Sequence, residues 1–534
     1  MGVGGTGGSG GAGSTDTGGA GGSGGAGAGG AGGAGGSSLV CVPLSTAPCY
    51  TGPAGTEGVG ACAAGSMECL PDGSGYAACT GEIRPGLEDC QSAADENCNG
   101  SGACVPGDVT WAQRYGDGSI QAGLDIAVDP LGDVVVVGHF KGTIDLGGGT
   151  LTSAGGSDFF VVKLDASGNH LWSKRFGSAG SEDNAASLAV SPAGEVVLFG
   201  NLAGTLDFGG GPLTSAGQTD LFVARLDAEG NHLWSQRFGD PDHQFAGDVA
   251  IDAAGAVVLT SAFRGSVDLG GGALVSSGEY DVLVAKLDPA GNHLWSHRYG
   301  DASHQRGLAV TTGAAGEVLF AGTMRGTMDL GGSLLQASSP NGDAFVVKLD
   351  AAGVHVWSQL LYPFSLEARA IALDAQENVL VTGTGSIFDM GQPSAPLPPG
   401  YGVEFFVAKL DPAGAPVWTQ DSPAPWNQEP TDIAADGSGS VLVTGYFGTK
   451  IDLGGGTLPS FQMQDMFLGE LDGAGAHVFS RSVSGPMDQA AQAMALDPSG
   501  GVWVTGRMES TVDFGGLTLT SAGESDVFIA RFAR

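Results

Sequence analysis

Basic residues are scarce in this sequence. Only 21 of its 534 residues are Lys or Arg, against 57 Asp and Glu, which gives a formal net charge of −36 at pH 7. A surface with this balance repels polyanions and anionic membranes, and it attracts cations, including divalent metals. We therefore expect no nucleic-acid partner.

Long apolar runs are missing as well. No stretch approaches the ~18–20 apolar residues of a membrane-spanning helix, so we expect no transmembrane segment. Residues 1–37 also lack the apolar core of a secretory signal. Because the cysteines indicate export, we expect the true N-terminus, with its signal, to lie upstream of Met1.

Cysteine is absent from residue 105 onward. The eight cysteines share one short segment: Cys41, Cys49, Cys62, Cys69, Cys79, Cys90, Cys98 and Cys104. Their even number and confinement predict disulfides formed in an oxidising compartment, with the connectivity left open. None of the spacings is the CxxC pair of a zinc or redox site, so cystines explain the pattern better than thiolate ligands.

Apolar side chains are nearly absent from the first 40 residues. Gly supplies 21 of the first 36 positions, and the remainder is mostly Ala, Ser and Thr. Such a segment buries too little apolar surface to offset the entropy of ordering. The sequence therefore predicts three parts: a disordered tether over 1–40 with a reach of about 30–35 Å, a disulfide module over 41–106, and a repeat domain over 107–534.

The module ends in the string DENCNG, which starts at Asp95. Side-chain oxygens at alternate positions before Gly form the first half of a calcium loop, but Pro106 stands where the bidentate Glu belongs. The string resembles the cysteine-rich metal-binding motif of bacterial surface proteins, which often ends in Asp-Glu-Asp-Cys-Asp-Gly. Two interpretations stay open: a Ca²⁺ site of Asp95, Asn97 and Asn99, or an Asx-rich turn between cystines.

One string dominates what is present. SDFFVVKLDASGNHLWSKRFG begins at Ser157 and returns from Thr219 and from Tyr280 with few changes. The period is 61 or 62 residues, which indicates a repeat architecture. One place in the period is marked by Trp111, Trp172, Trp234, Trp295, Trp357, Trp418 and Phe479.

Each period predicts four strands, named a to d in chain order. Strand b, such as DVVVVGHF from Asp133, is continuously apolar, and strand d, such as HLWSKRFG from His170, has the mixed character of an edge strand. The a-to-b and c-to-d connections carry Asp and Gly at the places that a tight hairpin needs. The b-to-c and d-to-a connections are long.

Strand counting predicts how the ring closes. The repeat opens with an unpartnered strand d, Asp108–Gly116, and ends on a strand c, Asp526–Arg534. Pairing these two segments gives seven complete four-stranded blades with no open edge. We therefore predict an all-β, seven-bladed β-propeller closed by an N-terminal outer strand, and we expect a monomer.

These seven registers resemble the seven-bladed β-propeller repeat family of bacterial secreted proteins. The resemblance covers about four-fifths of the chain and implies the fold, with no common reaction. The string LDASGNHLW, from Leu164, also resembles the repeat of quinoprotein propellers, which implies a quinone-dependent oxidoreductase as one alternative.

Three polar series recur once per blade. Two are acidic and either bind Ca²⁺ in every blade or cap turns and strand ends: Asp145, Asp207, Asp268, Asp329, Asp389, Asp452 and Asp513, and Asp158, Asp220, Asp281, Asp343, Glu404, Asp465 and Asp526. The third bonds neighbouring blades or rings the channel mouth: Gln121, Asn184, Gln244, Gln305, Glu367, Gln428 and Gln489. His243 and His304 share a loop position on adjacent blades.

The repeat breaks in the fifth and sixth blades, at three connections expected on one face of the ring. These departures predict a ligand site for a sugar or a peptide segment, with candidate residues Tyr362, Phe364, Tyr401, Trp426, Gln428 and Glu429. The alternative is that the rings pack locally to stiffen longer loops.

No nucleophile–base–acid constellation is evident in the sequence. The leading hypothesis is therefore a non-enzymatic binding or scaffold protein, exported or tethered to the outer surface of a bacterium, that uses the loop face of the propeller. The alternatives are a propeller enzyme, hydrolytic or quinone-dependent, at the channel mouth, and a calcium-stabilised structural envelope protein.

Overall fold

The chain forms two compact units. The computed structural model describes residues 40–52, 56–86, 88, 90, 92, 94–98, 100, 102, 104–179, 184–361, 364–386, 405–422, 428–461 and 463–534. The first unit contains the described parts of 40–48 and 66–80, and the second those of 49–65 and 81–534. The three sequence-predicted segments, with boundaries at 40/41 and 106/107, stay a prediction.

Disulfides cross-link the cysteine-rich part of the chain. Strand β1 (Thr46–Cys49) pairs with β2 (Gly65–Glu68) in a small sheet. None of the eight cysteines is free. Cys49 and Cys79 are both disulfide-bonded, and three further bonds join Cys41 to Cys69, Cys62 to Cys98 and Cys90 to Cys104. The predicted full oxidation is confirmed, and it indicates an oxidising compartment.

All regular structure in the described residues is β-strand. The repeat domain begins with β3 (Val109–Tyr115) and continues through the first three blades. Their strands are β4 (Gln121–Val128), β5 (Val134–Phe140), β6 (Thr143–Asp145), β7 (Thr150–Thr152), β8 (Asp158–Leu164) and β9 (His170–Phe176); β10 (Asn184–Val190), β11 (Val196–Leu202), β12 (Thr205–Asp207), β13 (Pro212–Thr214), β14 (Asp220–Leu226) and β15 (His232–Phe238); and β16 (Gln244–Ile251), β17 (Val257–Phe263), β18 (Ser266–Val267), β19 (Leu274–Val275), β20 (Asp281–Leu287) and β21 (His293–Tyr299).

The remaining four blades follow the same order. Their strands are β22 (Gln305–Thr312), β23 (Val318–Met324), β24 (Thr327–Asp329), β25 (Leu334–Gln336), β26 (Asp343–Leu349) and β27 (His355–Leu361); β28 (Phe364–Leu373), β29 (Val379–Ser386), β30 (Phe405–Leu410) and β31 (Pro416–Ser422); β32 (Gln428–Ala435), β33 (Val441–Phe447), β34 (Lys450–Asp452), β35 (Thr457–Pro459), β36 (Asp465–Leu471) and β37 (His477–Val483); and β38 (Gln489–Leu496), β39 (Val502–Met508), β40 (Thr511–Asp513), β41 (Thr518–Thr520) and β42 (Asp526–Phe532). None of the described residues forms a helix able to cross a membrane.

Each blade is an antiparallel sheet in the order a-b-c-d. The first blade is β4-β5-β8-β9, and the seventh is β38-β39-β42-β3. Strand β3 pairs with β42 from Val109 opposite Phe532 to Tyr115 opposite Val527, so the predicted closure by the N-terminal outer strand is confirmed. Strands b and c are buried on both faces because they lie between two sheet neighbours and two adjacent blades.

The innermost strands surround a central channel. These strands are β4, β10, β16, β22, β28, β32 and β38, and each contacts its two neighbours around a closed ring. The d-to-a and b-to-c connections lie at the same end of the blades, where Asp117 accepts hydrogen bonds from the backbone and the hydroxyl of Thr143, each at 2.7 Å. We call this end the loop face.

The repeated tryptophan joins each blade to the next. Trp172 donates its indole N–H to the carbonyl of Ala228 in the following c-to-d turn at 2.9 Å, and Trp234 repeats this with Pro289 at 3.0 Å. The ring covers the turn glycine so closely that a Cβ on Gly230 would lie 3.0 Å from Trp172. This glycine also has a φ of 78°, which explains why the string always carries Gly there.

The b-to-c connection, which the sequence marks only as long, contains regular structure. In six blades it contains a two-stranded hairpin, such as β6–β7, whose turn is the GGG string. Asp145 accepts hydrogen bonds from the backbone N–H groups of Gly147 and Gly149, and the His170 ring lies against Gly148. Three residues per strand are too few for a period-2 pattern to show in the sequence.

The described members of the two acidic series make the turn and strand-end contacts of the structural interpretation, and Ca²⁺ binding by either series stays a prediction. The described members of the Asp145 series accept backbone N–H groups of their own hairpin turns. Asp158 is fully buried at the start of strand c, where it pairs with Arg175 and accepts the N–H of Ala154. Asp389 and Glu404 lie outside the described residues.

Closure can be tested with two truncated chains that differ only in β3. Removing residues 1–116 leaves the β42 edge unpaired and Asp526 buried without Arg114, to which it is bonded at 2.5 Å. Removing one partner of a buried ion pair lowers the free energy of unfolding by about 3–5 kcal/mol. We expect this chain to aggregate and to melt at a lower temperature in calorimetry. The chain lacking only residues 1–106 is the control, and equal melting temperatures for the two would contradict closure by β3.

Candidate ligand-binding site

A β-bulge recurs in every innermost strand at one register position. In β4 it lies between Gly123 and Asp125, and in β28 it lies between Ala368 and Ala370. A bulge leaves one residue unpaired and redirects its side chain. The bulged residues are Leu124, Ala186, Gly247, Leu308, Arg369, Thr431 and Gln492. The channel lining includes Leu124, Gly247, Leu308, Arg369, Thr431 and Gln492.

Three carboxylates face one another across the channel, which holds a cavity of about 220 Å³. Asp125, Asp248 and Asp432 follow the bulges of the first, third and sixth blades. Each accepts the backbone N–H of its own next residue and one N–H of the following blade, at 2.7 Å from Leu188 in the case of Asp125. The carboxylates therefore link neighbouring blades while they border the open channel.

Enclosure by the blades shifts the titration of these carboxyls. Burial, followed by repulsion from Asp248, raises the pKa of Asp125 to about 8. Burial likewise raises the pKa of Asp432 to about 7 and shifts the pKa of Asp248 upward. At neutral pH the channel therefore carries less negative charge than its three aspartates imply.

Two positions before each bulge, toward the loop face, the innermost strands carry a ring of residues that we call the mouth ring. Its members occupy one register position, which Ala122 shows by pairing with His139 of strand b. They are Ala122, Asn184, Phe245, Arg306, Glu367, Glu429 and Ala490. Four consecutive blades, the third to the sixth, present a phenyl ring, a guanidinium and two carboxylates. This run is the largest chemical departure from the repeat within the described strands.

Aromatic rings continue the mouth ring outward on the third and fourth blades. His243 stacks with Phe245 at 5.5 Å between centroids, Phe245 lies 5.4 Å from Tyr280, and Tyr280 meets the edge of His304 at 5.2 Å. All four rings are half-buried. Burial, and then the positive charge of Arg306, lower the pKa of His304, so its imidazole is neutral at pH 7.

Arg369 holds the two acidic members of the mouth ring together. Its guanidinium lies 3.1 Å from the carboxylate of Glu367 and 3.2 Å from that of Glu429. Glu429 also accepts a hydrogen bond from Tyr446, whose pKa is raised to about 12, chiefly by burial. The structure thus joins two acidic residues from the fifth and sixth blades through a cation that the sequence did not single out.

The sequence-predicted ligand residues have different outcomes. Tyr362, Tyr401 and Trp426 lie outside the described residues, and Phe364 is described only as the first residue of β28. Gln428 is fully buried and donates to the carbonyl of Lys450 at 2.7 Å. Glu429 alone among the described candidates reaches the mouth ring. Ligand binding by this set stays a prediction.

The series splits in two: its glutamines bond within their own blades, whereas Asn184 and Glu367 occupy the mouth-ring register. Gln121 and Gln305 are fully buried and donate to the carbonyls of Lys141 and Arg325, which follow strand b of the same blade. The strand register also shows that Glu367 occupies the place after the glutamines. Asn184 occupies the same place in β10, so the series read from the sequence is offset by one residue in two blades.

The metal candidate in the cysteine-rich part stays a prediction. Asp95 is buried, and one of its carboxylate oxygens accepts the backbone N–H of Gly100 at 2.8 Å, as an Asx-rich turn requires. Asn99 lies outside the described residues. Within the part of the chain that the structure describes, no three His, Cys, Asp or Glu side chains are grouped to hold a metal ion.

Histidine and serine meet in five blades. The pairs share one geometry, with Nε2 and Oγ 3.0–3.2 Å apart: His170 with Ser173, His232 with Ser235, His293 with Ser296, His355 with Ser358 and His477 with Ser480. Each histidine also lies against a hairpin glycine. A contact that every such blade repeats serves the blade, since a catalytic site is needed once.

A signal for the mouth ring is present in the sequence. The Gly of the c-to-d turn is the same wherever that turn occurs, whereas the place after the glutamines changes from Ala122 to Phe245, Arg306 and Glu429. Variation at a fixed place in a regular repeat indicates a position that the blade does not need for its own packing. The one-residue offsets of Asn184 and Glu367 concealed this series.

Parts of the chain are similar in sequence to parts of larger known proteins. No family model matches the chain. A stretch of 229 residues, 40% of the chain, is 30% identical to Regulatory protein FlaEY of Caulobacter vibrioides and covers 23% of that protein. Another of 186 residues, 29% of the chain, is 25% identical to uncharacterized WD repeat-containing protein L264 of Acanthamoeba polyphaga mimivirus and covers 13% of it. The chain therefore spans less than a quarter of these relatives.

Solved structures show a distant likeness. Puromycin hydrolase matches with a TM-score of 0.42 and 12% identity, over 76% of this chain and 54% of that one. The β-propeller domain of the Trilobed protease from Pyrococcus furiosus matches with a TM-score of 0.36 and 9% identity, over 79% of this chain and 94% of that one. Nothing about activity follows at these identities.

The channel carboxyls predict a dependence of stability on pH. Because the folded-state pKa values of Asp125 and Asp432 lie above the ordinary value, the native state holds protons that the unfolded chain releases above about pH 4. Their contribution to stability is complete below that pH and is lost as the pH rises through about 7–8. The double variant Asp125→Asn, Asp432→Asn should not show this loss.

Guanidinium denaturation from pH 5 to 9 measures the effect. The difference in the free energy of unfolding, double variant minus unsubstituted protein, should increase as the pH rises. The increase should be at most about 1.4 kcal/mol per pH unit for each carboxyl. Asp207→Asn, on an exposed hairpin turn, should give a constant offset. Parallel curves for the double variant and the unsubstituted protein would show that these carboxyls titrate normally.

Proposed function

We propose that this protein is an exported, non-enzymatic binding protein that holds a carbohydrate at the loop-face mouth of its propeller channel. The observation that carries this proposal is the run of Phe245, Arg306, Glu367 and Glu429 at one register position of four consecutive blades. Ligand sites combine a few oriented polar groups with aromatic surface in a concave place, and a channel mouth supplies the concavity.

The chemistry of the run suits a sugar. Phe245 and Tyr280 offer partly exposed ring surface, and rigid rings contribute contact area at a low cost in conformational entropy. Glu367 and Glu429 offer carboxylate oxygens that accept hydrogen bonds from hydroxyl groups. Arg369 orients both carboxylates and offsets part of their charge, so the site does not depend on a cationic ligand.

The repeated Ser–His contacts support binding rather than catalysis. Each described pair packs under a hairpin of its own blade, as the pair of His170 and Ser173 shows, and none joins the mouth ring. His304, which does border the mouth ring, has no serine or cysteine among its described partners. A hydrolase would need a nucleophile beside such a base.

Glycan-array binding by the full chain tests the proposal, with Phe245→Ala as the variant. Phe245 is half-buried at the channel mouth, so its removal should weaken binding to the best glycan about tenfold or more, while the melting temperature changes little. Phe461→Ala is the matched control, because this ring is exposed on the sixth blade outside the mouth ring. Blank arrays would overturn the carbohydrate proposal.

A second variant decides which arc of the loop face binds. Trp426→Ala removes the aromatic residue that the sequence predicts as a contact on the connection before β32. If Trp426→Ala abolishes binding and Phe245→Ala does not, the site lies at the connections of the fifth and sixth blades and the mouth ring is not the binding site.

A further inference from the structure

Arginine is used unevenly in this chain. The arginines of the outer strands pair with carboxylates, as Arg175 does with Asp158 and Arg237 with Asp220. On the loop face of the third and fourth blades, Arg264, Arg306 and Arg325 form no ion pair with any residue that the structure describes. In a chain with 57 acidic residues, this lack of carboxylate partners needs an explanation.

Arg306 is held in place without using its hydrogen-bond donors. Its guanidinium carbon lies 5.9 Å from the centre of the Phe245 ring, within the range of a cation–π contact. No side-chain hydrogen bond from Arg306 to the described residues accompanies this contact. A guanidinium placed by an aromatic ring keeps its N–H groups free for a planar, bidentate partner, and a carboxylate has that geometry.

Two further arginines lie beside the aromatic rings next to Arg306. Arg325 is exposed. Burial is the main cause of the lowered pKa of the neighbouring His304; Arg306 and Arg325 lower it further, and Glu279 and Glu367 act in the opposite direction. Arg264 is exposed as well, and its backbone N–H bonds to the carbonyl of His243 at 2.9 Å. On a protein of net charge −36, three arginines beside these aromatic rings favour the binding of a ligand group with one negative charge.

The other half of the mouth ring has the opposite character. Glu367 and Glu429, bridged by Arg369, lie on the next two blades and present acceptors for hydroxyl groups. A ligand that spans both halves therefore needs an anionic group at one end and hydroxyl groups at the other. A sugar acid has both on one ring, whereas phosphate has no second end and benzoate has no hydroxyls.

We propose that the mouth ring binds a sugar acid, with the ligand carboxylate on Arg306 and its hydroxyl groups on Glu367 and Glu429. This inference rests on the proposed function and names the ligand class of the same site. Densely charged polyanions do not fit, since the net charge of the protein repels them at longer range. The ligand is therefore a free sugar acid or a uronate residue at the end of a weakly charged glycan.

Isothermal titration calorimetry with the full chain at low ionic strength tests this. The probes are glucuronate, glucose, benzoate, inorganic phosphate and digalacturonate. Glucuronate should bind more tightly than glucose, and Arg306→Gln should weaken its binding about tenfold or more. Lys450→Gln removes the same charge from an exposed place on the sixth blade and should leave binding unchanged. Melting temperatures show that each variant is folded.

Each outcome has a distinct meaning. Tighter binding of digalacturonate than of glucuronate, with the same dependence on Arg306, supports the site and identifies glycan ends as its source. Equal binding of glucuronate and glucose, insensitive to Arg306→Gln, overturns the sugar-acid proposal and leaves carbohydrate binding intact. Binding of phosphate or benzoate as tight as that of glucuronate overturns the ligand class. Binding of none of the five probes overturns the sugar-acid site, while the glycan array decides the proposed function separately.

Discussion

The contact between the tryptophan of each outer strand and the turn of the next blade is the interaction on which the ring depends. The indole N–H donates to a carbonyl of the turn and the ring packs on the turn glycine, as Trp234 does with Pro289 and Gly291. Because each blade needs the turn of the following one, the period of the sequence is also the period of the contact. The seventh blade has no c-to-d turn, since its outer strand comes from the other end of the repeat, and there Phe479 replaces tryptophan and lies beside Gly107.

Positions that stabilise the blades differ from positions that are available for function. Residues that stabilise a blade recur in the other blades. Examples are Asp158, which pairs with Arg175, and Gln121, which donates to the carbonyl that follows strand b. Residues at the mouth ring change from blade to blade because the innermost strand has no further strand to pair with on its channel side. The acidic channel and the arginine-rich arc of the third and fourth blades therefore lie on a scaffold that does not depend on their identity.

Much of the fold could be predicted from the sequence, because turns, strand order and closure depend on local patterns and on counting. Asp and Gly at the turns and the unpaired segment Asp108–Gly116 sufficed for this. The hairpins in the b-to-c connections could not be predicted, since their strands are shorter than any periodicity signal. The site was harder still. Bulges set which residue faces the channel, and the bulge in each innermost strand leaves no mark in the sequence.

The most direct test of this account compares two exchanges between the same aromatic residues. Trp234→Phe keeps the ring and removes the hydrogen bond to Pro289, so the free energy of unfolding in guanidinium should fall by about 1 kcal/mol. Phe479→Trp places an indole where no following turn supplies a carbonyl, so it should give no gain in stability. A stabilising Phe479→Trp, or a Trp234→Phe variant as stable as the unsubstituted protein, would contradict the claim that the tryptophan contact with the next turn holds the ring together.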